Sequence, residues 1–81
     1  MRKKDLRKGN IYQVDLGPKF KGSIVKAKYT GTEIVPAWDQ DEELPVIVPL
    51  EVIKDKCGFA NMVCDNAHNM LVNFSQILKL I

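Results

Sequence analysis

The stretch Ile47–Phe59, IVPLEVIKDKCGF, places the tightest local demands on the fold. Val46, Ile47 and Val48 are β-branched and suit the end of a strand. Pro49 has no amide hydrogen and a fixed φ, which fits the first position of a helix. Glu51 would then face the positive end of the helix dipole, and Lys54 and Lys56 the negative end. Leu50, Ile53 and Cys57 recur at helical spacing. Gly58 can take the left-handed conformation that stops a helix, letting Phe59 fold back on Ile53. These signals predict a strand running into a short helix that serves as a packing unit.

Upstream, the pattern switches to period two. Ile11–Leu16 reads as a strand with Tyr12, Val14 and Leu16 on one face and Gln13 and Asp15 on the other. Ser23–Thr30 reads as a second, with Val25, Ala27 and Tyr29 inward and Lys26 and Lys28 outward, Ile24 joining the lysine face. Gly31-Thr32 then reads as a tight turn into a third strand, Glu33–Trp38, making a hairpin. Pro36 marks that third strand as an edge or an interrupted one. Asp39–Glu43, DQDEE, reads as an acidic loop before a fourth strand at Pro45–Val48. Asn61–Cys64 fits either a short fifth strand or a link between helices. Downstream, Ala67, Met70, Leu71, Phe74, Ile77, Leu78 and Ile81 follow helical spacing, with Asp65 or Asn66 as N-cap. The expected architecture is α+β. It has a twisted antiparallel sheet of four to five strands, with closure into a barrel open, and two helices, the second at the C-terminus.

Length limits this to one domain: with 81 residues the core is small. The expected division is a basic segment, 1–8, and a domain over 9–81. No apolar run is long enough to span a bilayer, so no membrane role is expected. Two cysteines and a basic start with no apolar region behind it point to the cytoplasm and reduced thiols. The net charge of +2 is unevenly spread. Met1–Lys28 holds nine Lys or Arg against two Asp, and Tyr29–Ile81 three Lys against eight acids. A basic third of this kind reads as a solvated surface or as a nucleic-acid footprint, the latter through Arg2, Lys3, Lys4, Arg7, Lys8, Lys26 and Lys28. Phe20 could add a stacking surface.

Catalytic chemistry is sparse. Cys57, Cys64, Asp65 and His68 have metal-ligand types, but the cysteines stand seven apart and only one His exists. Zinc sites usually pair closely spaced ligands, so no metal is expected. Cys64 and His68 lack an evident orienting group and oxyanion donor, so no catalytic residue is assigned. The cysteines read as small hydrophobes. No glycine loop cradles a phosphate, and no cofactor is expected. Trp38 reads as core filler or, with Asp39, Asp41, Glu42 and Glu43, as a protein-contact spot.

Two resemblances bear on this. Asp5–Asn10, DLRKGN, and Pro49–Phe59, PLEVIKDKCGF, resemble small uncharacterised proteins of phages and mobile elements in gut bacteria. Leu6, Arg7, Gly9, Asn10, Pro49, Leu50, Cys57, Gly58 and Phe59 carry the match, with a looser one at His68, Met70 and Phe74. Arg7–Pro18, RKGNIYQVDLGP, is similar to the first strand of MazF/PemK-type endoribonuclease toxins. The Arg-Pro motif of their next strand has no counterpart in Ser23–Lys28. The expected function is a small non-enzymatic binding module of phage or mobile-element origin, acting on a host or defence protein. The alternative is a MazF-like RNA-binding protein or degenerate endoribonuclease. A protein partner is expected, nucleic acid is an option through the basic third, and a homo-oligomer through the C-terminal helix.

Overall fold

The structure is a computed structural model and describes residues 1–66 and 68–81. Five antiparallel strands form one open sheet: β1 (Ile11–Asp15), β2 (Ile24–Pro36), β3 (Asp41–Lys54), β4 (Met70–Leu71) and β5 (Ile77–Leu80). Their order is β4-β3-β2-β1-β5, so β4 and β5 form the two edges and the sheet does not close into a barrel. One α-helix is present among the described residues, α1 (Ala60–Asp65). Single 3-10 turns occur at Lys3–Asp5, Pro18–Phe20 and Phe74–Gln76.

The first two strands follow their alternation. Tyr12, Val14, Val25, Ala27 and Tyr29 are buried on the inner face, and Leu16 just beyond β1 joins them. Tyr12 and Tyr29 meet edge to face with centroids 6.4 Å apart, the geometry favoured by the ring quadrupoles. Lys26 and Lys28 point from the opposite face, opposite Gln13 and Ile11.

β2 does not turn at Gly31. It runs on to Pro36, which ends it, and pairs with β3 in one long hairpin whose last pair is Pro36 with Asp41. The separate third strand expected at Glu33–Trp38 is thus the far half of β2. Gly31 has φ +136°, a backbone that side chains rarely adopt, and lies where the register slips between Tyr29 and Gly31. Its function is a bulge.

The helix expected at Pro49–Cys57 is not formed. These residues continue β3, with Pro49 opposite Ala27 and Val52 opposite Val25. Two further slips leave Leu50 and Ile53 as the extra residues. Bulges three residues apart break the period of two and reproduce the spacing of a helical stripe. Pro49 sits beside the first of them, a ladder position that proline tolerates. Gly58 does take a left-handed conformation, φ +85°, but in a turn after a strand.

The C-terminal helix is also absent. Met70 and Leu71 pair with Ile47 and Val46 at one edge, and Ile77–Leu80 pair with β1 at the other. The intervening residues cross the inner face, where Val72 is buried and Phe74 packs on the core. Gln76 holds the crossing. Its Oε1 accepts from the Asn73 N–H at 2.8 Å, and its Nε2 donates to the Asp15 carbonyl at 2.8 Å. Ala67, read as the start of the helical stripe, lies outside the described residues.

Segment 1–8 covers the rest of the inner face. Leu6 is buried, the Arg7 N–H donates to the Tyr12 hydroxyl at 2.9 Å, and the Met1 ammonium donates to the carbonyls of Phe74 and Ile77. The core therefore lies between the sheet and two crossing segments, one from each half of the sequence.

Candidate protein-contact site

Beyond Gly31 and Val46, the β2–β3 hairpin extends as a two-stranded arm. Ile34 is exposed, and Ala37–Gln40 form the turn at its tip. Trp38, at that tip, has a relative exposure of 102%. Its reading as core filler is therefore overturned. The DQDEE segment is also more ordered than a loop: Asp39 and Gln40 belong to the turn, and Asp41, Glu42 and Glu43 open β3.

The arm holds five acids, Glu33, Asp39, Asp41, Glu42 and Glu43, and no base between Thr30 and Val46. Glu42 and Glu43 stand opposite Val35 and Ile34, and Glu33 opposite Leu44, so no cross-strand neighbour neutralises them. Of these five acids only Glu43 has an ion-pair partner among the described residues, Lys3. The hydrogen bond and charge of Glu43 hold the Lys3 ammonium above its ordinary range. This contact ties segment 1–8 to the base of the arm.

The basic candidates do not gather on one surface. Arg2, Lys3, Lys4 and Arg7 belong to the segment that crosses the inner face, where the Tyr12 hydroxyl lies against Asp5 and Arg7. Lys26 and Lys28 project from the outer face, and Lys26 lies 3.6 Å from Glu51. The stem of Lys8 lies over Gly31, where an added Cβ would be 3.2 Å from its Cε. Phe20 is turned to packing, with its ring 5.6 Å from that of Phe59.

The cysteines occupy the opposite end of the molecule. Ser23 is fully buried; its hydroxyl donates to the Phe20 carbonyl at 2.7 Å and accepts from the Lys56 N–H at 2.8 Å, with the Cys57 sulfur at 3.6 Å. Burial pushes the Cys64 thiol up, helped by Asp65 and Glu51. A raised thiol is mostly protonated at neutral pH and is a poor nucleophile or metal ligand. No group of three potential metal ligands occurs among the described residues.

No protein-family model, curated protein or solved structure matches the chain. The functional reading therefore rests on its own geometry. Among the described residues, no helix is long and apolar enough to cross a membrane.

Sequence reasoning missed one feature. Asp55 organises the turn between β3 and α1, its Oδ1 accepting from the N–H groups of Cys57 and Gly58 at 3.0 and 2.8 Å. The spacing Asp55-x-x-Gly58 was the available signal, since Asp commonly folds back on the backbone two residues on. Desolvation pushes this carboxyl up, but the N–H groups of Gly58 and Cys57 outweigh it and leave it below the ordinary value of 3.8. A carboxylate depressed in the folded state stabilises the fold above its unfolded pKa, and the contribution fades as pH falls through the folded one. Asp55→Asn keeps an acceptor and removes the titration. Urea midpoints measured from about pH 6 to about pH 3 are expected to show the wild type ahead at the top, with the gap closing below the ordinary carboxylate pKa.

Proposed function

We propose that this protein is a small non-enzymatic binding module of phage or mobile-element origin, working in the cytoplasm. It acts by presenting the β2–β3 arm to a host or defence protein. The observation that carries this reading is Trp38, fully exposed at the tip of an arm with five acids and no base. Exposed tryptophans are common anchors of interfaces, and a ring of one charge sign selects partners by complementarity. The matching surface on the partner is an apolar slot bordered by Lys or Arg.

The test is photo-crosslinking from position 38 in extract of the cell that carries the chain, with a control probe at Lys28 on the outer face. The expected result is a discrete protein adduct from position 38 that survives nuclease. Charge reversal at Asp41 and Glu42 is expected to remove it. Trp38→Ala should leave the thermal midpoint unchanged, because the side chain touches no core residue, while weakening partner binding by about tenfold or more. Adducts confined to position 28, or lost on nuclease treatment, would hand the function to the basic face and to the RNA-binding alternative.

A further inference from the structure

The end of the molecule opposite the arm has the complementary character. The register sets Ile24 against Lys54 at one end of the hairpin and Pro36 against Asp41 at the other. The arm tip and the Lys54 end therefore lie at opposite poles of a body 36 Å long. At the Lys54 end, Lys19, Lys21, Lys54 and Lys56 are all exposed. Against these four lysines stand the acids Asp55, which accepts from backbone N–H groups and stays charged, Glu51, which lies against Lys26, and Asp65 on α1.

An apolar groove runs from Phe59, three residues after Lys56, to Met70, which pairs with Ile47 in the middle of β3. It has a volume of about 340 Å³ and is lined by Phe59, Met62, Val63 and Met70 together with the polar Asn66 and His68. Phe59 and Met62 are exposed. The volume lies at the small end of ligand pockets, the scale of one large side chain. Methionine thioethers make favourable contacts with aromatic rings and adapt to their shape.

We infer that the Trp38 arm of one copy docks in the Phe59–Met70 groove of a second copy, with the acids of the arm facing Lys54 and Lys56. The inference rests on the reading of the arm as the binding element and names one of its partners. A chain cannot satisfy its own groove, because the groove lies alongside the middle of β3, where Met70 pairs with Ile47, while Trp38 lies beyond the last pair of the hairpin, Pro36 with Asp41. The contact is therefore head to tail, a different patch on each copy, and it propagates into a chain or closes as a ring. Self-docking covers the arm, so a foreign protein must compete with the next copy for it. This interface replaces the one expected from the C-terminal helix, which the structure lacks.

Sedimentation velocity over about a hundredfold range of concentration tests it. At about 0.1 M salt the mean mass is expected to rise with concentration past that of a dimer. It should fall back at about 1 M salt, where the screening length drops from about 10 Å to about 3 Å. Trp38→Ala and the pair Lys54→Glu with Lys56→Glu should each lower the association constant by about tenfold or more. The decisive arm mixes the two variants. The first keeps an intact groove and the second an intact arm, so together they rebuild one interface and stop at a heterodimer. Misfolding of either variant cannot produce that result. A chain monomeric throughout at low salt, or assembly that survives Trp38→Ala, overturns the inference. Foreign-protein adducts from position 38 in a monomeric chain would leave the arm reading standing while self-docking fails.

Discussion

Ile47→Ala is expected to cost about 2–5 kcal/mol, the range for removing a buried branched side chain and leaving a cavity. Ile47 is fully buried opposite Tyr29, in the central span of β3, with Met70 paired on its other side. The whole stability of a small domain is about 5–15 kcal/mol, so this one change can consume much of it. The same experiment separates the strand from the helix that the spacing suggests. In a helix, Leu50 and Ile53 would form the buried stripe. In β3 they are the bulge residues, both partly exposed, and their alanine variants are expected to cost less than about 1 kcal/mol each. Urea denaturation of the three variants reads the difference directly. Equal losses at all three positions would contradict the strand.

Gly31→Val is expected to be the costliest change outside the core, at about 1–3 kcal/mol from backbone strain alone. A β-branched residue is a poor occupant of φ +136°. Its side chain would also displace the stem of Lys8, since even a Cβ comes within 3.2 Å of Cε. The effect should appear as a lower denaturant midpoint with an unchanged slope, because the exposed area on unfolding stays the same. Since Gly31 sits at the base of the arm, the variant should also weaken any contact made through Trp38 more than core variants of equal stability do. Crosslinking yield from position 38, compared at matched stability, measures that second effect.

The inner faces of β1 and β2 were legible because a sheet with one buried face writes its burial directly as alternation. Tyr12, Val14, Val25, Ala27 and Tyr29 all follow it. β3 was not legible because its two bulges move the apolar residues out of phase. Pro49, normally a helix-start signal, here marks the strand position beside a bulge. The C-terminal stretch failed for a related reason. A two-residue strand, a crossing segment with a 3-10 turn and a four-residue strand each set down an apolar side chain, and together they mimic a period of 3.6. The Asn73…Gln76 pair, which closes a turn on itself inside the apparent stripe, was the local sign of an interruption. Trp38 and the acids were legible as a group from their adjacency. That they ride on an arm was not, because the arm exists only through the register of residues on both sides of the turn.

The return of β5 to the outer edge of β1 also bears on how the chain is made. During synthesis β1 leaves the ribosome ahead of the other described strands, and its second neighbour follows roughly 60 residues later, a delay of several seconds at ordinary elongation rates. For that interval the nascent sheet has an open edge along β1, a template for pairing with other chains. The Gln76 bond to the Asp15 carbonyl and the pairing of Val14 with Ile77 end that interval together. The final seating of the fold is thus a contact between its first and last described strands. It should set the slow phase of refolding, since contacts so distant along the chain are the last to form.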